Sequence, residues 1–253
     1  MGVPVASGPD EVRSYAATAG RLGDLEDAVS ACRACPRLVE WRERVAGEKR
    51  KAFADETYWG RPVPGWGAEQ PAVLIVGLAP AAHGGNRTGR IFTGDRSGDW
   101  LFASLHRVGL AVQETSTHVG DGQALIGTRM LAAVRCAPPD NKPTPAERDT
   151  CAPWMVREVE LVLPGLRVAV ALGAFAWQSL LSTLQQLGLP VPKPRPRFGH
   201  GAEVRIGPLV VLGSFHPSQQ NTFTGRLTAP MLDQVLGRSA DLARHRGGSG
   251  STL

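Results

Sequence analysis

The chain has 253 residues, of which 42% are apolar, and it carries a formal net charge of +5 at pH 7. This apolar fraction excludes a globally disordered chain, and there is no run of roughly 18 apolar residues that would span a membrane. The sequence pI of about 9.4 favours a polyanionic partner such as nucleic acid. The N-terminus lacks a basic start followed by an apolar core, so we expect a cytoplasmic protein with no signal peptide and no membrane partner.

The first predicted elements are a flexible N-terminus and an interrupted helix. Residues 1–21 are predicted to be flexible. From Leu22 to about Val45 apolar residues recur at helical spacing, and Pro36 interrupts the pattern. The run Lys49-Arg50-Lys51 that follows is either a solvated face or a phosphate contact.

Four short apolar runs then alternate with helical patterns. The runs are nearly continuous, as in strands covered on both faces: Ala72–Val76, Met130–Val134, Val168–Leu172 and Leu209–Leu212. The helical patterns are Asp99–Val108, Pro145–Leu163, Ala174–Leu187 and Leu227–Leu236. One further strand, Glu203–Ile206, is predicted at a sheet edge.

This alternation predicts an α/β protein of the three-layer α/β/α type, with a central four-stranded parallel sheet. The sequence contains no internal repeat and no second core. We therefore predict one domain over residues 22–237 and a flexible tail over residues 238–253.

A long polar loop, Gly77–Gly98, joins the first predicted strand to the next helix. Besides several glycines it contains an aromatic residue, Phe92, and one carboxylate before the helix, Asp95. Ligands bind at the carboxyl ends of strands in open α/β sheets, and structureless loops of this length are functional or disordered. We interpret the loop as the floor and one wall of an active site; the alternative is a mobile surface loop.

The polar loops that follow the other strands share the same sheet edge. Asn141 lies in the loop after the second predicted strand, and His216 in the loop after the fourth. The carboxyl ends of parallel strands meet at one edge, so Asp95, Asn141 and His216 can converge there although they are far apart in sequence.

The four cysteines form two sequence-local pairs, Cys32 with Cys35 and Cys136 with Cys151. In a chain with no export signal, disulfides are not expected. Four thiols in this arrangement predict a metal site holding either zinc or an iron–sulfur cluster. Thioredoxin-like redox chemistry would also use the first pair, but it would leave the second without a role.

Several separated motifs together resemble one known family. They are Gly77–Asp95 (GLAPAAHGGNRTGRIFTGD), His216–Gly225 (HPSQQNTFTG), Arg135–Pro145 (RCAPPDNKPTP) and the cysteine framework. These motifs resemble the uracil-DNA glycosylase superfamily, and its family 5 (type B) branch in particular, which carries an iron–sulfur cluster. The similarity extends over roughly residues 22–237.

The resemblance implies a uracil-DNA glycosylase-like fold and a monofunctional enzyme. Such an enzyme hydrolyses the N-glycosidic bond of a uracil flipped out of DNA and leaves an abasic site for base excision repair. The substrate would be uracil-containing DNA, double-stranded and also single-stranded, and a monomer is expected.

The resemblance also implies roles for individual residues. His216 would donate a hydrogen bond to the leaving uracil, or else fix the loop backbone. Phe92 would stack on the flipped base, or else belong to the core. His83 would line the base pocket or brace the loop. The loop residues expected to contact DNA are Ser218, Gln219, Gln220, Asn221 and Thr222.

The first motif departs from better-known branches of the superfamily, which place an acid or amide near its start to position water. Here the pocket residues Gly77, Ala79 and Ala81 carry no such group. We therefore assign water positioning and cation stabilisation to Asp95, and water or base contact to Asn141; Asp95 as a simple helix cap is the alternative. A pocket without an amide on the uracil edge predicts a broad range of deaminated or modified bases.

The resemblance implies that Cys32, Cys35, Cys136 and Cys151 ligate a structural [4Fe-4S] cluster. A different hypothesis also explains the charge and the cysteines. In that case the chain would be a metal-stapled nucleic-acid-binding or damage-sensing protein without chemistry.

Overall fold

The apolar runs pair side by side into a mixed sheet in a computed structural model, which describes residues 2–244. The strands are β1 (Trp66–Gly67), β2 (Val73–Gly77), β3 (Thr128–Ala132), β4 (Val168–Leu172), β5 (Glu203–Ile206) and β6 (Leu209–Ser214). Their order across the sheet is β1-β3-β2-β4-β6-β5. The central strands β3, β2, β4 and β6 run parallel, and the edge strands β1 and β5 pair antiparallel.

Helices precede, connect and follow these strands. They are α1 (Pro9–Thr18), α2 (Leu22–Ala31), α3 (Pro36–Glu48), α4 (Gly85–Thr88), α5 (Arg96–Arg107), α6 (Pro145–Val162), α7 (Ala174–Gln186), α8 (Gln219–Phe223) and α9 (Ala229–Arg244). The predicted break in the first helix is confirmed, since α2 ends and α3 begins on either side of Cys32 and Cys35. No helix among the described residues is both long and apolar enough to cross a membrane.

The sheet separates two hydrophobic layers. Along β2, Val73 and Ile75 face a core that includes Phe102 of α5, while Leu74 and Val76 face a core that includes Trp177 of α7. Successive side chains of a strand point to opposite faces of the sheet. Because both faces are buried here, the strand sequence is a continuous apolar run. The predicted α/β class with helices on both faces of the sheet is confirmed.

The sheet itself differs from the prediction in two respects. It has six strands within the described residues: β5 is the predicted edge strand Glu203–Ile206, whereas β1 at the opposite edge was not predicted. The second core strand lies at Thr128–Ala132 instead of Met130–Val134, because the polar residue Arg129 is part of it. Arg129 is buried and bonded through Nε to Glu158 at 2.6 Å and through Nη2 to Glu26 at 2.6 Å.

The predicted flexible ends are also wrong in part. Residues 9–18 form α1, whose Val12 and Ala16 are buried in a cluster with Trp154 of α6. Within the predicted tail, residues 238–244 complete α9, and Ala240 is buried. The remaining tail, residues 245–253, lies outside the described residues.

Candidate active site

The aromatic ring of Phe92 packs directly on the end of β2. A Cβ atom built on Gly77 would lie 2.8 Å from two ring atoms of Phe92, so only glycine lets the ring come this close. Phe92 has a φ of 53°, a left-handed backbone conformation that is strained for a bulky residue. Such strain is found mainly at functional sites. Its side chain is buried and belongs to the hydrophobic core cluster that also contains Ile75 and Phe102, so the predicted core alternative is present, and the ring lies at the carboxyl end of β2.

His216 completes this arrangement from the last strand. It follows β6, and the centroids of its ring and the Phe92 ring lie 5.6 Å apart at an interplanar angle of 35°. Gly173, at the end of β4, would carry a Cβ only 3.5 Å from the His216 Cβ. Residues predicted from separate loops therefore meet above β2, β4 and β6.

Part of the His216 side chain reaches the surface, but the enclosure of its imidazole lowers the pKa to about 4. The ring is therefore neutral at pH 7 and keeps one N–H donor. The Asn221 side-chain amide donates to the His216 carbonyl oxygen at 2.8 Å and closes the loop on itself. A neutral imidazole on a braced loop can donate a hydrogen bond to developing negative charge without losing a proton.

Asp95 lies at the start of α5 and caps it. Its Oδ1 accepts a hydrogen bond from the Gly98 backbone N–H at 2.9 Å, so the capping alternative is confirmed. Its Oδ2 faces Gly84, where a Cβ would fall only 1.9 Å away. Part of the side chain reaches the surface, but burial of the carboxyl group still raises its pKa. Capping by Oδ1 therefore leaves Oδ2 packed against the backbone at Gly84.

The active-site loop is tied down by two buried arginines. Arg87 donates through Nε to the His83 carbonyl oxygen at 2.8 Å and through Nη2 to the Gly94 carbonyl oxygen at 2.8 Å. Arg90 bonds to Asp121 at 2.7 Å, in a pair that is nearly fully buried. These contacts, together with α4 inside the loop, argue against a mobile surface segment.

His83 braces the loop through a neighbouring tyrosine. The Tyr58 hydroxyl oxygen accepts from the Arg50 N–H at 3.3 Å, and the hydroxyl shares a hydrogen bond with His83 Nδ1 at 3.0 Å. Burial lowers the pKa of His83. The bracing role predicted as one alternative is therefore present.

Asn141 lies at the surface, away from these contacts. It ends a short 3₁₀ turn, Pro139–Asn141, and both Asp140 and Asn141 adopt left-handed backbone angles. None of the hydrogen bonds or ring contacts within the described part of the chain joins its side chain to Asp95, Phe92 or His216.

The predicted DNA-contacting residues form an exposed helical turn. Ser218 precedes α8, and Gln219 and Gln220 are exposed on it. Phe223 at the end of α8 was not singled out from the sequence, although 64% of it is exposed. The Arg96 guanidinium lies 4.4 Å from the centre of its ring. An aromatic residue among the polar residues of the His216–Gly225 motif was the signal that could have identified it.

The four cysteines converge on one small cavity. They line a space of about 20 Å³ between α2, α3, α6 and the segment after β3. The Arg42 Nη1 atom donates to Cys136 Sγ at 2.9 Å, and the Arg135 N–H donates to Cys151 Sγ at 3.3 Å. The predicted grouping of all four thiols around one space is therefore present.

The thiols are held in a setting that disfavours free thiolates. Burial, with the mutual repulsion of the other thiolates, raises the pKa of Cys35 to about 12. Burial raises the pKa of Cys136 to about 11 and also raises that of Cys151. Ligation by a metal is what deprotonates such thiols at neutral pH.

Buried donors around the cavity lack partners. Arg42 Nε, Trp154 Nε1, and both Nε and Nη1 of Arg135 find no hydrogen-bond acceptor among the described residues. Each of these side chains lines the cavity. Unpartnered N–H donors on two arginines and a tryptophan that share a cavity with four sulfurs suit an anionic cluster better than an empty apolar core.

The sulfur atoms do not form a completed ligand set as they stand. Within residues 2–244, no group of three or more Cys, His, Asp and Glu side chains is spaced to hold a metal ion. The four cysteines have the right chemistry to bind a metal or cluster, and they line one cavity. Their sulfur atoms are not, however, arranged as a complete coordination shell.

Comparison with known proteins decides the family. The profile of the uracil DNA glycosylase superfamily matches residues 64–238, which include the Gly77–Asp95 and His216–Gly225 motifs. The chain belongs to the uracil DNA glycosylase superfamily. The matched segment also contains all the strands of the sheet.

Relatives within this superfamily cover most of the chain. A type-5 uracil-DNA glycosylase of Mycobacterium tuberculosis is 57% identical over 226 residues, 89% of this chain and 83% of that protein. One from Thermus thermophilus is 52% identical over 217 residues, 85% of this chain and 95% of that protein. One from Pyrobaculum aerophilum is 42% identical over 221 residues, 87% of this chain and 93% of that protein. The resemblance inferred from the motifs to the type-5 branch is thereby confirmed.

Proposed function

We propose that the protein is a uracil-DNA glycosylase that hydrolyses the N-glycosidic bond of uracil flipped out of DNA and leaves an abasic site. The observation that carries this proposal is the pairing of Phe92 and His216 over the end of β2. It places an aromatic face and a neutral donor within 5.6 Å of each other at the ligand-binding edge of the sheet. The type-5 relatives support it, since each is named for this activity.

In this proposal Phe92 stacks on the flipped base and His216 stabilises the leaving group. Cleavage through an oxocarbenium-like transition state leaves negative charge on the departing uracil. The low pKa of His216 keeps the ring neutral, so it donates a hydrogen bond to that charge and does not act as an acid.

Asp95 supplies negative charge toward the sugar cation and positions the attacking water. The oxygen not used in capping, Oδ2, is directed along the loop backbone at Gly84. Asn141 is the second candidate for water or base contact. It is exposed on a left-handed turn, where its side chain is accessible to a bound substrate.

The pocket is proposed to accept several deaminated or modified bases, among them hypoxanthine, hydroxymethyluracil and ethenocytosine. Ala79 and Ala81 present only methyl groups, and Gly77 presents none. Discrimination is weak in a pocket without polar groups to be left unpaired by the wrong base.

DNA is proposed to bind along α8 and its flanks. Ser218, Gln219, Gln220, Asn221 and Thr222 would contact the backbone and the minor groove. Phe223 would enter the base stack at the gap left by the flipped base, since apolar side chains are known to wedge between base steps. Arg96 and Arg226 lie beside aromatic rings at this surface, at 4.4 Å and 4.6 Å, and add positive charge. We propose a monomer that acts on double-stranded DNA and also on single strands in the cytoplasm.

Cys32, Cys35, Cys136 and Cys151 are proposed to hold a structural [4Fe-4S] cluster. When bound, the cluster supplies a covalent link among α2–α3, the segment after β3 and α6, and no redox step. The orphaned donors of Arg42, Arg135 and Trp154 would face its sulfur atoms.

The decisive test of the glycosylase proposal is a labelled duplex with one U·G pair. Incubation with the protein should give an alkali-labile abasic site at the uracil position and free uracil. His216→Ala with the same duplex is the matched control and should lose most of the rate. Tight binding of the duplex without base release in several buffers would instead favour a nucleic-acid-binding protein.

The cluster proposal has its own test. Purified protein should be brown, with absorption near ~400 nm and about four irons per chain. Cys151→Ala should lose the colour. Colourless wild-type protein containing stoichiometric zinc would contradict the iron–sulfur assignment and leave the glycosylase proposal standing.

A further inference from the structure

Arg42 lies between the cysteine site and the active-site loop. Its side chain is only 2% exposed. Its Nη1 atom donates to Cys136 Sγ at 2.9 Å, and its Nη2 atom donates to the Cys32 carbonyl oxygen at 3.0 Å. One guanidinium therefore spans both cysteine-bearing segments, and its planar fork fixes their relative position.

The backbone of the same residue anchors the active-site loop. The Asn86 side-chain amide donates to the Arg42 carbonyl oxygen at 3.2 Å and to the Ala82 carbonyl oxygen at 3.4 Å. Asn86 is fully buried in α4. Both partners are carbonyl oxygens, so the NH₂ group must face them, and a flipped amide would place oxygen against oxygen.

The segment that carries Asn86 touches the catalytic side of the loop. Gly84, two residues earlier, faces Asp95 Oδ2 with no room for a Cβ. Gly85 packs on Pro80, where a Cβ would fall 3.0 Å from the proline Cβ. A small displacement of Asn86 is therefore passed to the backbone that encloses the Asp95 carboxylate.

We propose that Arg42 and Asn86 are positioning residues that hold the Ala81–Asn86 segment, and through it Asp95, in register with the cysteine site. Arg42 then connects the cluster side and the excision side of the molecule, with its side chain directed to sulfur and its carbonyl directed to the loop. This inference rests on the proposed glycosylase function and on the proposed cluster.

The test is a double-mutant cycle on the iron-loaded protein, with Arg42→Lys, Asn86→Ala and the combination. Amide hydrogen exchange of residues 84–88 and the single-turnover excision rate are measured for each. Each single change should speed exchange and slow excision by at least about threefold. The combination should add little to the larger single effect, because both changes cut the same connection.

A pH–rate profile separates positioning from a general loss of structure. Burial against the loop raises the pKa of Asp95, so loosening the loop in Asn86→Ala should lower that pKa and move the acidic limb to lower pH. Arg87 and Asp99, the charged residues that act on Asp95, stay in place. Iron content and visible absorption of Asn86→Ala should equal those of the wild type.

Matched controls come from the same two elements. Thr88→Val removes a hydroxyl that bonds only to backbone groups inside the loop, so its effects should add to those of Arg42→Lys. Arg44→Lys on the exposed face of α3 should leave exchange at residues 84–88 unchanged. Additive effects of Arg42→Lys and Asn86→Ala, or an unmoved acidic limb, would overturn the proposal. If the wild type releases no uracil, the glycosylase function is refuted instead. Amide hydrogen exchange in the Arg42 and Asn86 variants would still measure whether the two residues are coupled.

Discussion

Asp95 occupies the space in which Gly84 would carry a side chain, since a Cβ on Gly84 would fall 1.9 Å from Asp95 Oδ2. Gly84→Ala must therefore displace either the carboxylate or the loop. We expect a loss of about tenfold or more in the single-turnover excision rate, equivalent to about 1.4 kcal/mol. DNA affinity should change little, because α8 is untouched.

Gly47→Ala is the matched control for this substitution. Gly47 lies in α3, and no atom lies within 4 Å of the Cβ that it would gain. Its excision rate should equal that of the wild type, with a slight gain in stability from better helix propensity. An unchanged rate in Gly84→Ala would mean that the Asp95 position is not critical.

Asp95→Asn separates the capping role of Asp95 from its charge. Asn is as good an N-cap as Asp, so the free energy of unfolding should stay within about 0.5 kcal/mol of the wild type. The excision rate should still fall by at least about tenfold, because the negative charge near the sugar cation is lost. Urea unfolding and single-turnover kinetics on the same preparation measure the two effects.

Asp95→Ala should combine both losses, with a further destabilisation of about 1 kcal/mol from the missing cap. Asn141→Ala, on the exposed turn, is the comparison that assigns the water. If the excision rate falls in Asn141→Ala but is unchanged in Asp95→Asn, the residue that positions the water is Asn141 and not Asp95.

The burial of His216 predicts a pH-dependent stability. Its pKa falls from 6.5 to about 4 on folding, so the unfolded chain takes up a proton first as the pH drops. This contribution to stability is fully present above pH 6.5 and is lost as the pH falls from 6.5 to 4, by at most about 3 kcal/mol. Urea unfolding at a series of pH values measures it.

In His216→Gln this part of the pH dependence should disappear, because glutamine does not titrate. His118→Gln, at an exposed histidine in another loop, is the control and should keep the wild-type profile. An identical pH dependence in wild type and His216→Gln would show that His216 is solvated in the folded protein.

Phe223→Ala tests the exposed end of α8. If the ring fills the gap left by a flipped base, its loss should slow excision from duplex DNA by about tenfold. Excision from single-stranded DNA should be nearly unaffected, because no base stack has to be opened. The ratio of the two rates is the measurement.

Ile126→Ala serves as the control for Phe223. Ile126 is also an exposed apolar residue, but it precedes β3 and so lies at the sheet edge opposite the carboxyl ends. It should leave the ratio unchanged. An equal loss on both substrates in Phe223→Ala would assign the ring to general DNA affinity.

The strands that are buried on both faces were the most predictable part of the fold. β4 begins and ends where its apolar run does, because every residue in it is apolar and buried. β3 was displaced by two residues because Arg129 is buried there by ion pairs to Glu26 and Glu158. Those partners lie on α2 and α6, far from Arg129 in sequence, so the local sequence pattern does not predict the ion pairs.

The candidate site was predictable where it depends on topology and on motif. Phe92 and His216 meet because β2 and β6 end at one edge. The hydrogen bond from the Gly98 N–H to Asp95 follows from local spacing, so the sequence could predict a helix cap as an alternative role for Asp95. The contact between Gly84 and Asp95 depends on how the loop folds back, which α4 determines and which no periodicity reveals.

The burial of α1 and α2 against α6 bears on how the chain is made. Val12 and Leu25 share a hydrophobic cluster with Trp154, which is synthesised more than a hundred residues later. At usual rates of translation this interval is on the order of ten seconds. Throughout it the N-terminal helices have an apolar face without its partner, so this end of the nascent protein depends most on protection by chaperones.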